Sequence, residues 1–313
     1  MSAGASGSQP GRQTCTNGVA MKLGRLGVWA ALDGVSAAAA LDFARRIERW
    51  GYPALWMPEG RGRNVLVHAA FLLSGTSRLI VASGIANIYA RDPMAMASAQ
   101  RGLNEQSDGR FVLGVGVSHQ PLVATMRGHA YGPPVATMRT YLDAMRTAPY
   151  QAPLPAEPPL TLVAALGPRM LALSAELADG AHPYNVAPEH TQKARDIVGP
   201  GKLVCPEQMV LLETDPSRAR RAARVALAPY LQLDNYVNHW RRSGFGDADL
   251  AAGGSDRFID AMVAWGDETA IRARIQQHWD AGADHVCIQS LRPEGLRQAR
   301  DERIFELLAP TAD

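Results

Sequence analysis

The stretch that decides the fold is Phe111 to Gln120, "FVLGVGVSHQ": an apolar run holding Gly114 and Gly116, then Ser118 and His119. Two glycines two apart after a β-rich run resemble the start of the dinucleotide fingerprint G-x-G-x-x-G. That fingerprint needs a third glycine three residues after the second, where a helix begins. His119 holds that place, followed by Gln120 and Pro121, and the segment is the fourth strand-like run of the chain rather than the first. The dinucleotide reading fails. The alternative is a strand whose C-terminal end delivers Gly116, Ser118 and His119 to a site.

On either side, short apolar runs alternate with amphipathic segments. "RLGVWA" comes first, then a helix that Ser36 can cap and Gly51 can stop. "ALWMPE" is the second strand and "RLIVASG" the third, each followed by helical sequence, the latter helix opened by Asp92 and Pro93. After "RFVLGVG" a helix runs from about Pro134 to Arg146. The proline-rich "APYQAPLPAEPPL" next to it is either a linker or a surface loop, because the strand "LTLVAA" resumes at once. "GAHPY" and "KLVCPEQMVLLE" are the sixth and seventh strands. Several helices follow, "RFIDAMVAWG" among them, before the eighth strand "HVCIQSL". Eight strand–helix units fit an α/β fold of the closed (β/α)8 TIM-barrel type, with extra helices between strands 7 and 8.

Composition agrees with a folded, water-exposed protein: 313 residues, 47% hydrophobic, 20% charged, net charge +2. That balance gives no electrostatic case for nucleic acid or an anionic membrane. The run "SRARRAARVAL" is either a phosphate patch or a solvated helix face, and its helical spacing favours the face. Cys15, Cys205 and Cys287 form no metal-like cluster, and no ligand-spaced His/Cys group suggests a metal. The cysteine usage fits a reducing cytoplasm. Residues 1–20, rich in Gly, Ser, Ala and Thr, are expected to be a disordered extension, with one barrel domain over 21–313.

In such a barrel the site lies at the C-terminal ends of the strands. Those ends include Trp29, Glu59, Ser83 to Asn87, Gly116 to His119, Leu166 to Pro168, His182 to Tyr184, and Gln289. Gly84 interrupts a β-branched run and marks either a bulge or a plain strand end. Gly167 and Pro168 open a helix whose N–H groups suit a phosphate, or turn a corner for structural reasons.

"GYPALWMPE", "GIANIYARDPMAMASAQ", "GRFVLGVGVSH", "LGPRMLALSAELADGAHPY" and "GADHVCIQ", in this order, resemble the luciferase-like family of flavin- and deazaflavin-dependent oxidoreductases over about Leu23 to Leu291. The likeness is greatest to the actinobacterial branch that uses coenzyme F420. The resemblance implies a homodimeric barrel with the deazaflavin ring in its mouth. It also implies a non-proline cis peptide at Ser83–Gly84 or Gly84–Ile85, and phosphate contacts at Ala165, Leu166 and Gly167. With these, Ser83, Gly84, Ile85, Asn87, Gly116 and Ser118 make up the expected cofactor-binding set.

Two positions depart from the sugar-phosphate dehydrogenases of this family. Glu59 is followed by Gly60 where they carry a histidine, and His119 stands where they place a glutamate. Sugar-phosphate oxidation is therefore not expected. For hydride transfer a group must manage a proton, and histidine suits this near neutrality. His119 is the first candidate and His182 with Tyr184 the second, each with a loop-packing role as the alternative. Glu59, the third catalytic candidate, would hydrogen-bond the ring, balance a substrate charge, or pair with Arg61 or Arg63. The other histidines (His68, His129, His190, His239, His278 and His285) are given no role. The expected activity is an F420-dependent oxidoreductase acting on a small organic substrate. Its alternatives are an FMN-dependent luciferase-like monooxygenase and a barrel that binds cofactor without turnover.

Overall fold

The computed structural model describes residues 23–294 and 300–310. The expected N-terminal extension lies outside them. The first half of the chain contains β1 (Leu26–Trp29), α1 (Ala37–Arg49), β2 (Ala54–Met57), α2 (Val65–Ser74), β3 (Ile80–Ser83), β4 (Ala86–Asn87), α3 (Pro93–Gln106), β5 (Phe111–Gly116) and α4 (Pro134–Thr147). Then come β6 (Thr161–Val163), α5 (Pro168–Leu177), β7 (Gly180–Ala181), α6 (Pro188–Val198), β8 (Leu203–Val204) and β9 (Glu207–Leu212). The rest is α7 (Pro216–Leu227), α8 (Asp234–Arg242), α9 (Asp247–Leu250), α10 (Asp256–Met262), β10 (Val263–Gly266), α11 (Glu268–Asp280), β11 (Val286–Ser290) and α12 (Glu302–Leu307).

All strand pairs are parallel, in the order β10-β9-β11-β1-β2-β3-β5-β6-β7-β8, with β4 on β5. Every residue of β1, β2, β3 and β5 is buried, which is why they read as unbroken apolar runs rather than alternating ones. The sheet curls into a TIM-barrel-like fold. The run 203–212 joins the β8 end of that order back to β9: Cys205 N donates to Ala181 O of β7 (2.9 Å) and Pro206 O accepts from Cys287 N of β11 (3.0 Å). The helices pack outside. In α1, Ala40, Phe43, Ala44 and Ile47 form the buried i, i+3, i+4, i+7 stripe, and Ser36 Oγ caps it by accepting from Ala39 N at 3.2 Å.

Several sequence expectations change here. "RFIDAMVAWG" is not one helix: α10 ends at Met262 and Val263–Gly266 forms β10, paired with β9 at Val263↔Met209. A short apolar run gives no periodicity to separate the two states, and only the neighbouring strand decides. The seventh strand is two, because Pro206 has no N–H to continue the ladder. The proline-rich stretch is a loop between α4 and β6, and β6 returns to pair with β5. Arg101 holds its start, donating to Ala148 O at 2.9 Å. The arginine run of α7 pairs with acids: Arg218 with Glu213, Arg220 with Asp256 and Asp260, and Arg224 with Asp256. Among the described residues, no helix is long and apolar enough to cross a membrane, and no group of His, Cys, Asp or Glu is placed to hold a metal ion.

Candidate active site

A cavity of about 850 Å³ opens at the C-terminal ends of the strands, walled mostly by apolar and aromatic side chains. Its floor is the segment between β3 and β4. Ala82 pairs with Val112 and Ala86 with Val115, so three residues, Ser83 to Ile85, face only two on β5. The extra residue makes a bulge, and the Gly84–Ile85 peptide within it is cis.

The glycines of "FVLGVG" seat this bulge. A Cβ on Gly114 would lie 2.0 Å from Ser83 O, and one on Gly116 would lie 2.7 Å from Ile85 Cδ1. Ser83 Oγ donates to Gly114 O (2.8 Å) and accepts from Gly114 N (3.0 Å). Gly84 N donates to Met57 O (2.7 Å), Glu59 N to Ile85 O (3.1 Å), and Trp29 Nε1 to Gly84 O (3.1 Å). The bulge is therefore tied to β1, β2 and β5 together. Gly84, Ile85, Gly116 and Ser118 line the cavity; Ser118 holds φ +58°, a left-handed turn uncommon for a residue with a side chain. Ser83 and Asn87 are buried behind the floor and bond within the protein.

Glu59 also reaches the cavity, but its carboxylate is engaged. It pairs with Arg91, not with the expected Arg61 or Arg63, and accepts from Asn87 N at 2.8 Å. Arg91 and Glu59 side chains are only 10% and 4% exposed, so the pair clips β4 to the end of β2.

His119 sits half-buried at the rim, where a six-residue π-helix, Pro121–Met126, begins after Gln120. Its Nδ1 lies 3.2 Å from Asn235 Oδ1 and its ring 5.7 Å from Tyr236. Burial lowers its pKa, and the Asn235 bond opposes that shift. His182, at the end of β7, is deep in the wall. Its Nδ1 donates to Cys205 O at 2.7 Å, its ring stacks on Trp56 at 4.5 Å, and burial pushes its pKa down to about 4. Beside it Tyr184 OH donates to Gln289 Oε1 (2.8 Å) and meets Tyr230 OH (2.9 Å).

Ala165, Leu166 and Gly167 lead into α5, whose N-terminus has no side-chain cap. His190 Nε2 donates to Leu166 O at 3.0 Å, and the His239 ring meets the His190 ring edge-on at 4.5 Å, so a pair of histidines given no role backs this turn. Both stay neutral, pushed by burial to about 4 and about 3. Arg169 and Arg242 line the cavity here, with Arg242 Nη2 3.6 Å from where a Gly167 Cβ would be. Sequence reasoning missed the α8 wall, which comes from no strand end. The spacing of Asn235, Asn238 and Arg242 at i, i+3 and i+7 was the available signal.

The cavity residues fit a flat ring with a phosphate. Gly84 and Gly116 keep side chains off the floor, and a backbone turn with two arginines stands at the start of α5.

The luciferase-like monooxygenase family model matches residues 20–285. A Mycobacterium tuberculosis protein named as a coenzyme F420-dependent oxidoreductase is 26% identical over 341 aligned positions, covering 88% of this chain and 97% of that protein. The solved structure of an F420-dependent secondary alcohol dehydrogenase with an F420–acetone adduct superposes with a TM-score of 0.70 at 15% identity, over 91% of this chain and 96% of that one. An FMN-bound Type II Baeyer–Villiger monooxygenase from Pseudomonas putida gives 0.65 at 15% identity, over 91% and 96%. At these identities the structural likeness shows a shared fold.

Proposed function

The chain belongs to the luciferase-like monooxygenase family, and from that premise we propose that it is a coenzyme F420-dependent oxidoreductase acting on a small organic substrate. The observation that carries this is the cavity floor, a tied bulge without side chains at Gly84, beside a helix start flanked by Arg169 and Arg242. When bound, the deazaflavin supplies a ring carbon that accepts or donates hydride. The chain's own groups do the rest. Gly84 and Ile85 back the ring, the turn at Ala165 to Gly167 with the arginines receives the phosphate, and the aromatic wall of Tyr184, Tyr230 and Tyr236 keeps water out. His119, with Nδ1 held by Asn235, offers Nε2 to a proton at the substrate's reacting group.

The engagement of Glu59 with Arg91, and the absence of a histidine at Gly60, argue for a substrate other than a sugar phosphate. A single barrel domain working as a homodimer is part of this reading. Val67 and Phe71 on α2 and Met94 on α3 are the exposed apolar surface a second copy would cover. The free buried thiols Cys205 and Cys287 suit the cytoplasm.

The test is parallel titration of the purified protein with coenzyme F420 and FMN, followed by fluorescence. Tighter binding of F420 supports the reading, and substrates are then screened by bleaching of its absorbance. Preference for FMN, the ligand of the Pseudomonas putida enzyme, would move the protein to oxygen activation. Binding of neither would leave a barrel without turnover.

A further inference from the structure

The histidine that ends β7 carries an atom that the fold leaves over. Its Nδ1 lies 2.7 Å from the Cys205 carbonyl, which only accepts, so Nδ1 bears the ring proton and Nε2 is a bare lone pair. His182 is 1% exposed, and Nε2 has no hydrogen-bond partner. The ring cannot easily turn away. It stacks on Trp56, which is itself held by donation from Nε1 to His285 Nε2 at 3.0 Å.

On the cavity side, Nε2 faces a glycine. A Cβ on Gly84 would lie 3.1 Å from Nε2 and 2.8 Å from Trp29 Nε1. Trp29 Nε1 already donates to Gly84 O, so it does not serve Nε2. His182, Gly84 and Trp29 all line the cavity. A buried acceptor without a donor is costly and uncommon in native folds, and this one stands out because its residue lines the cavity.

We propose that His182 Nε2 is the fixed acceptor for an N–H or O–H of the bound ligand, so that the site selects a ligand presenting such a donor at the Gly84 floor. The identity of that ligand rests on the oxidoreductase reading above. Burial keeps the imidazole neutral at working pH, which suits a permanent acceptor and not a store of protons. The donor is a ring N–H of the coenzyme or a hydroxyl of the substrate, and the chemistry at Nε2 is the same.

The experiment is nitrogen NMR of protein labelled with ¹⁵N-histidine, with the His182 signals assigned by their loss in His182→Phe. Free protein should show Nε2 as an unprotonated, unbonded nitrogen. A shift of Nε2 toward the hydrogen-bonded range on saturating coenzyme F420 identifies the coenzyme as donor. A shift only when 2-propanol is added to the F420 complex identifies a hydroxyl. F420 bound by fluorescence with Nε2 unmoved in both conditions overturns the proposal.

For whichever ligand moves Nε2, His182→Phe should bind roughly five- to tenfold more weakly. Gly84→Ala, whose Cβ would lie 3.1 Å from Nε2 and 2.8 Å from Trp29 Nε1, crowds the same corner and should weaken binding as well. Equal affinity in both variants, with wild-type melting, also overturns it. Failure of the wild type to bind F420 at all would refute the oxidoreductase reading instead, and the same nitrogen signal would then be followed with FMN.

Discussion

Gly114→Ala should unfold the protein more readily than Gly116→Ala, although both replace a glycine of the same strand with the same methyl group. At Gly114 the new Cβ would lie 2.0 Å from a backbone oxygen, Ser83 O, with Ile85 Cγ2 at 3.4 Å. That is about 1.5 Å inside ordinary contact, and the atom in the way belongs to the bulge itself. Relieving it must part β5 from the bulge, which loosens the two bonds of Ser83 Oγ to Gly114 at 2.8 and 3.0 Å. Overpacking costs about 1–3 kcal/mol and each lost hydrogen bond about 1, for a total of roughly 3–5 kcal/mol. At about 2.1 cal/mol/K per residue, unfolding this chain changes entropy by about 0.7 kcal/mol/K, so the melting temperature should fall by roughly 4–7 °C.

At Gly116 the obstacles are the tip of the Ile85 side chain, at 2.7 and 2.8 Å, and Ala164 Cβ at 3.2 Å. Ile85 can rotate away, at a cost of about 1 kcal/mol and a degree or two. It would rotate at the cavity floor, so Gly116→Ala should weaken coenzyme binding more than it weakens the fold. Calorimetry and F420 titration of the two variants measure both effects. If Gly114→Ala melts within 2 °C of the wild type, the glycine pair does not seat the bulge, and the explanation of "FVLGVG" is wrong.

Glu59→Gln should cost roughly 3–5 kcal/mol by stranding the buried Arg91, seen as a lower urea midpoint, and Arg91→Met in the same chain should recover much of it. His119→Ala should lower turnover far more than F420 affinity while leaving the melting temperature nearly unchanged; an unchanged rate would remove His119 from the chemistry. Acid should destabilise the protein, because His182, His190 and His285 are held at about 4 and His239 and His278 at about 3. Their folded values lie below the unfolded 6.5, so stability is full above that pH and falls as pH drops towards 4, by up to roughly 3 kcal/mol per fully buried ring. Urea midpoints from pH 7 to 4.5 check this. Glu207 acts the other way. It is fully buried and held up at about 8, so it removes stability as pH rises from 4.5 to 8, and Glu207→Gln should stabilise the protein at pH 8 but not at pH 4.5.

The sequence by itself determined the alternation of strand and helix. That pattern is written in local chemistry: unbroken apolar runs where both faces are buried, caps such as Ser36 and Asp92, and prolines that open helices. It also put at strand ends many of the residues that line the cavity, because parallel strands bring their C-terminal ends to one face whatever their order. It did not show that Val263–Gly266 is a strand, since only the hydrogen bonds offered by β9 separate that run from the end of a helix. Nor could it show that Gly114 and Gly116 exist to let Ser83, Gly84 and Ile85 approach, or that Glu59 would find Arg91 32 residues away. The α8 wall and the lone pair of His182 are likewise products of packing. The tertiary structure decides such features because each depends on a contact between residues distant in the chain, and periodicity and propensity describe neighbours only.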